Sequence, residues 1–235
     1  MSLCGAAHYM SLRYVLIVLS IIVLGASAAI AATNVAGRVK SGTGFAVSPL
    51  GHIITSAHVV AGCRTVSVWG QDRARRVARI IAKDAVHDIA LLRVSGTLLS
   101  YAHAPSLRQL ALGEQVLALG YGVHIEDPRS PEEATGIYVG NSLTATGIRV
   151  YVFHARLRPG DSGSAVVATD GALFGMVIGR DTDNPDLGLV LPVPEIERFL
   201  GRHGVQLFPT TAVDVWEASG LLLAISNLVQ CELKL

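Results

Sequence analysis

The run RPGDSGSAVV, Arg158 to Val167, sets a serine between glycines and then turns straight into an apolar segment. A free serine hydroxyl is a weak nucleophile and needs a base beside it. The base needs a third group to hold its tautomer, and the oxyanion that forms needs amide donors. Gly160 and Gly163 let the backbone curl, so the N–H groups of Gly160 and Ser162 can face one cavity. Without partners, the same run would be a serine-rich hairpin turn.

Partners are available upstream. The chain has eight histidines. His58, in TSAHVV, follows an apolar strand and the small residues Ser56 and Ala57, which leave room for an imidazole at a cleft. The other histidines have no comparable surroundings, and none falls in a metal-binding pattern such as H-E-x-x-H, so no metal or other cofactor is expected. Asp88, in HDIALLRV, leads directly into a buried strand. A carboxylate there is costly unless hydrogen-bonded, and orienting an imidazole would satisfy it. Asp84 competes for this role but lies further from the apolar run. The order His, Asp, Ser argues against an α/β-hydrolase, in which serine comes first within a Gly-x-Ser-x-Gly elbow. Here Ser164 stands where the last glycine of that elbow would be.

The elements that must hold these residues read as strands. TGFAVS, the turn PLGH and IITSAHVV form a strand–turn–strand unit, and RTVSVW alternates polar and apolar residues. RRVARIIAKD, DIALLRV, QVLALGYG, YVGNSLTATGI, VYVFHARL, SAVVATDG and LFGMVIGR continue the series. Many short strands without alternating long helices predict an all-β barrel or sandwich. One helix is expected at PVPEIERFLGRHG, where Pro194 suits the first turn and Gly204 can end it. The tail, 206–235, is expected to be helical in part.

Of the 235 residues, 51% are hydrophobic, and part of that excess lies at the front. The uncharged run Tyr14 to Ala32 follows Arg13 and ends in small residues that suit signal peptidase. A run of this length could also span a bilayer as a retained anchor. Met10 could be the true start. On either reading residues 1–32 are a leader, the remainder is exported to a periplasmic or secreted location, and any membrane contact runs through the leader. The net charge of +1 offers no large field for nucleic acid. The short patch Arg73, Arg75, Arg76 and Arg79 reads as a solvated strand or turn face. Of the three cysteines, Cys4 lies in the leader. Cys63 and Cys231 could bridge in an oxidising compartment, though nothing in the sequence brings them together.

Taken together, SGTGFAVSPLGHIITSAHVVAG, AKDAVHDIALLRV, LALGEQVLALGYG, LRPGDSGSAVVATDGALFGMVIG and LGLVLPVPEIERFL resemble the chymotrypsin-fold serine peptidases, most closely the bacterial HtrA/Deg group. The resemblance covers roughly residues 38 to 201 and includes all three triad motifs in order. It implies two six-stranded β-barrels within residues 33–205, with the site in the cleft between them. His58 and Asp88 would come from the first barrel and Ser162 from the second. It implies a serine endopeptidase acting on polypeptides, with His58 as base, Asp88 orienting it, and the amides of Gly160 and Ser162 as oxyanion donors. Val177, Ile178 and Gly179 would pair with the substrate backbone, and Arg156 would stand near the side-chain pocket, unless it turns to solvent. Asp161 is the acid that, in the digestive branch, pairs with a newly cut amino terminus. No Ile-Val-Gly-Gly start is present, so zymogen activation does not carry over. HtrA proteases usually carry a PDZ domain after the protease domain, and the tail is too short to be one. The competing reading is a catalytically silent protease fold that binds peptides.

Overall fold

The structure is a computed structural model. It describes residues 39–98, 100–104, 109–122, 131–209 and 218–233. The expected leader lies outside these residues. The chain divides into two units, 1–38 and 39–235, and every described residue belongs to the second. Among the described residues, no helix is long and apolar enough to cross a membrane.

Two closed six-stranded barrels form the fold. The first takes β1 (Val39–Ser48), β2 (His52–Thr55), β3 (Cys63–Trp69), β4 (Arg75–Asp84), β5 (Ile89–Arg93) and β14 (Ser226–Leu233), in the order β1-β14-β3-β4-β5-β2. The second takes β7 (Gln115–Gly120), β8 (Glu132–Leu143), β9 (Arg149–Ala155), β10 (Ala165–Ala168), β11 (Leu173–Arg180) and β12 (Leu187–Pro192), in the order β10-β11-β12-β9-β8-β7. Two short parallel strands, β6 (His103–Ala104) and β13 (Phe208–Pro209), pair with each other.

Burial follows from this closure. β8 alternates, with Ala134 and Tyr138 turned in and their neighbours turned out. β2 and β5, and β1 from Gly42 onward, are instead buried on both faces. One face fills the first barrel, where Ala46, Ile53 and Leu92 meet Val66, Val68 and Val229. The other joins a shared core, where Phe45, Ile54 and Leu91 meet Val167, Met176 and Leu191 of the second barrel. A third cluster, around Phe153 and Val177, fills the second barrel. Gly44 is required in β1 because a Cβ there would lie 2.8 Å from the Ile54 carbonyl of β2.

The expected helix is present as α1 (Val193–Gly201). Pro192 stands at its N-cap, Glu195 sits in its first turn and Arg198 in its last, and Val193, Ile196, Phe199 and Leu200 form its buried face. It packs on β11 and β12.

Two sequence expectations need correction. YVGNSLTATGI is not one strand. It is the end of β8 and the turn into β9, where the Thr144 amide donates to the Ile148 carbonyl and the Thr144 carbonyl accepts the Gly147 amide. The region after residue 205 is not a tail outside the barrels. Within its described residues only α2 (Ala218–Ile225) is helical, with Leu222 and Ile225 fully buried. It packs on β7 and β10 of the second barrel. The chain then returns to the first barrel as β14, which lies antiparallel between β1 and β3. Cys63 and Cys231 form a disulfide between β3 and β14, with a Cα separation of 5.3 Å.

Candidate active site

β2 ends at Thr55, and the chain turns outward through residues 56–62. The turn is held by the amides of Val59, Val60 and Ala61, which donate to the carbonyls of Ser56, Ala57 and His58. It presents His58 with a side chain 54% exposed, which leaves the imidazole open to a reactant. Asp88 closes the neighbouring turn between β4 and β5, and its backbone takes a left-handed conformation with φ of 51°. That conformation directs the carboxylate at His58 twice. Oδ2 lies 2.7 Å from Nδ1 of the imidazole, and Oδ1 accepts the His58 backbone N–H at 2.9 Å. The ring is thus held through Nδ1, which leaves Nε2 as its outward nitrogen.

The same turn is secured by the residues just before Asp88. Asp84 accepts the backbone amides of Val86 and His87 and lies 2.9 Å from Nδ1 of His87. Arg202, just after α1, reaches Asp84 at 3.2 Å. Burial alone would raise the Asp84 carboxyl, but the hydrogen bonds from His87 outweigh it and hold the group below its ordinary value. Asp84 therefore fastens the turn that carries Asp88, and it does not contact His58.

Ser162 arrives from the second barrel on the loop between β9 and β10. Its carbonyl accepts the Thr43 amide of β1 at 2.9 Å, and the Gly163 amide donates to the Val177 carbonyl at 2.7 Å. Ser56, two residues before His58, donates its hydroxyl to the same Val177 carbonyl at 3.2 Å. The Ser162 loop and the His58 turn are therefore tied to one atom of β11. Gly163 is needed here: its φ is +90°, and a Cβ would collide with the Thr43 carbonyl and lie 2.6 Å from Thr55 Oγ1. Gly160 also has a positive φ, +102°, and its carbonyl accepts the Thr43 hydroxyl at 2.7 Å. Among the described residues, no acceptor takes the N–H of Gly160 or of Ser162, and no hydrogen bond joins the Ser162 hydroxyl to His58.

Val177, Ile178 and Gly179 lie on β11, where β10 stops short. The β10 register reaches only Met176, whereas β12 continues alongside to Arg180. Past Val177, the edge facing away from β12 has no partner strand among the described residues. A bulge separates Val177 from Gly179, and Gly179 has open space around its Cα. Arg156 is exposed at the start of the Ser162 loop.

Several positions that shape this site carry no signal of their own in the sequence. Thr43, inside SGTGF, holds both Gly160 and Ser162 and accepts the Tyr121 amide on its hydroxyl at 2.8 Å. Ser56 reads in the sequence only as a small neighbour of His58, with nothing to show that its hydroxyl reaches β11. Arg158 and Glu132 pair beside Asp161, although they stand 26 positions apart in the chain.

Two closed barrels, a histidine–aspartate pair from the first and a glycine-framed serine from the second define a trypsin-like double-barrel protein. The chain belongs to the trypsin-like peptidase domain family, whose pattern matches residues 42–176. It is 32% identical over 176 residues to the uncharacterized protein y4bJ of Sinorhizobium fredii, covering 72% of this chain and 26% of that protein. It is 31% identical over 176 residues to the serine protease Rv3671c of Mycobacterium tuberculosis, covering 71% of this chain and 43% of that protein. A crystal structure of the inactive form of Rv3671c, carrying a serine-to-alanine change, superposes with a TM-score of 0.61 at 26% identity, covering 71% of this chain and 85% of that one. A probable periplasmic serine endoprotease DegP-like from Pseudomonas savastanoi is 31% identical over 137 residues, covering 57% of this chain and 28% of that protein. The chain thus spans less than half the length of these relatives.

Proposed function

We propose that this protein is an exported serine endopeptidase that hydrolyses polypeptides through an acyl-enzyme on Ser162. The observation that carries this reading is the double hold of Asp88 on His58, through Nδ1 and through the backbone amide. In the proposed reaction Nε2 of His58 takes the Ser162 proton as the hydroxyl attacks the carbonyl, and Asp88 stabilises the imidazolium. The amides of Gly160 and Ser162 bind the oxyanion, each donor contributing about 3 kcal/mol to the transition state. His58 then hands its proton to the leaving amine, and water releases the acyl group. The open edge of β11 at Val177, Ile178 and Gly179 receives the substrate as an added strand. Arg156, exposed six residues before Ser162, favours acidic or small residues near the cut.

Export is supported by the apolar run Tyr14 to Ala32 and by the Cys63–Cys231 disulfide, which persists in oxidising compartments. The periplasmic assignment in the name of the DegP-like relative points the same way. Membrane contact, if the leader is retained, runs through residues 14–32.

The missing Ser162–His58 hydrogen bond favours a second reading, a silent fold that binds peptides without cutting them, although such bonds are often long before substrate arrives. Labelling the purified protein with a fluorophosphonate separates the two. Wild type should label on a single serine, and Ser162→Ala should not. An unlabelled wild type would refute the peptidase.

A further inference from the structure

Within the arginine patch of β4 and the turn before it, Arg75 reaches Glu232 at 3.5 Å and Arg76 pairs with Asp72. Arg79 instead faces another cation. It stands directly opposite Arg93 in the β4–β5 ladder, and Arg93 stands opposite His52 in the β2–β5 ladder. Residues paired in this way share a face, and like charges so opposed repel. Among the described residues, no carboxylate pairs with Arg79 or Arg93, and the Arg93 guanidinium donates to the Val94 carbonyl at 3.1 Å. Burial first, and the Arg93 charge second, hold the His52 imidazole below its ordinary value.

Arg79 and Arg93 line one cleft of the first barrel. β4 pairs with β3 over residues 75–78 and with β5 over residues 79–84. The cleft opens at this change of partner and has a volume of about 710 Å³, within the range of ligand sites. Its third charge is Arg64 of β3, and no Asp or Glu lines it. Glu232 answers Arg64 at 3.3 Å but is shared with Arg75. On the side facing β4, residues 63–65 have no strand partner among the described residues. Their backbone groups can therefore pair with an incoming chain. Val77, 63% exposed, adds an apolar contact in the same cleft. Asp88 leads into β5 and Arg93 ends it, so the cleft and the His58–Asp88 pair lie at opposite ends of that strand.

We infer that this cleft is a second binding site, for a carboxylate-bearing stretch of polypeptide laid in extended form across Arg64, Arg79 and Arg93. A carboxylate between Arg79 and Arg93 offsets their mutual repulsion, and a guanidinium suits it as a two-pronged donor. The open β3 edge and Val77 suit a polypeptide rather than a bare anion. On the peptidase reading, the site holds acidic segments of a substrate away from the bond that is cut. The binding itself does not depend on that reading.

The test measures fluorescence anisotropy of labelled octapeptides on the full chain carrying Ser162→Ala. One peptide alternates Glu and Val, a second Gln and Val, a third Lys and Val. The Glu peptide should bind, raise the midpoint of thermal unfolding, and weaken as salt rises from about 20 to about 200 mM. Arg79→Gln and Arg93→Gln should each weaken it about tenfold, the loss of one charge-assisted hydrogen bond. Arg149→Gln, the same charge change on β9, should leave binding unchanged. Arg79→Gln should keep or raise the unfolding midpoint, since it removes a repulsion, and Arg79→Glu should transfer the preference to the Lys peptide. Equal binding of the Glu and Gln peptides would overturn the inference, as would undiminished binding in the double variant Arg79→Gln/Arg93→Gln. Binding of inorganic phosphate or of phosphatidylglycerol vesicles, with none of the Glu peptide, would overturn it too. In wild type, saturating Glu peptide should leave fluorophosphonate labelling unchanged; blocked labelling would put the peptide in the active site and end the case for a separate cleft. If wild type does not label but the peptides follow this pattern, the peptidase reading falls and the cleft stands.

Discussion

The Cys63–Cys231 bridge sets the largest single stability effect expected here. It joins residues separated by 168 positions, so opening it releases a loop of that length in the unfolded state. The chain-entropy relation gives about 5 kcal/mol for a loop of this length, and measured losses in other proteins run from about 2 to 5 kcal/mol. In the folded state the bridge fixes β14, whose Leu228, Val229 and Cys231 are fully buried. β14 pairs with both β1 and β3, so its release would leave two open strand edges on the first barrel. For a domain of this size each kcal/mol moves the midpoint by about 2–4 °C, so a loss of about 10–20 °C is expected. The assay is thermal unfolding of the paired variant Cys63→Ala/Cys231→Ala beside the oxidised native chain, with thiol titration of the latter. Amides of residues 226–233 and 39–45 should show the largest gain in exchange. A midpoint within about 3 °C of native, or free thiols at both positions in the native protein, would refute the reasoning.

Three further outcomes follow from the same geometry. Gly163→Ala forces a Cβ against the Thr43 carbonyl at a φ of +90°, so it should abolish fluorophosphonate labelling and lower the unfolding midpoint. Gly179→Ala has open space, so it should keep its midpoint and its labelling while cutting long polypeptides more slowly, if the β11 edge receives substrate. Asp84 has a folded-state value below its ordinary 3.8, so it contributes stability above 3.8 that is lost as pH falls through the lower folded value. Asp84→Asn should therefore unfold with a flatter pH dependence below about pH 4 in acid titration followed by circular dichroism. An unchanged slope would place the stabilisation elsewhere.

Much of the fold and site is legible along the chain because it is local. The glycines around Ser162 mark positive φ wherever they fall, and both Gly160 and Gly163 have it. Alternation in RTVSVW marks β3, and Pro194 in the first turn of PVPEIERFLGRHG marks α1. A carboxylate at the mouth of a buried strand points to a nearby donor, and Asp88 finds it in His58. The tail departs from expectation for a physical reason. A short apolar run such as GLLLAISNLVQC suits helix or strand equally, and the vacancy between β1 and β3 decides it.

The residue types and their order thus determined a set of strands, one helix with a proline in its first turn, and the serine, histidine and aspartate on which the proposed acyl transfer rests. Tertiary structure alone decided which strand closes the first barrel, that Cys63 meets Cys231, that Thr43 binds the Ser162 loop and Ser56 binds β11, and that Arg158 stands beside Asp161. Alternation tells a strand which face to bury but not which strand lies beside it. Pairing across long stretches of chain is settled only when both barrels close around a common core.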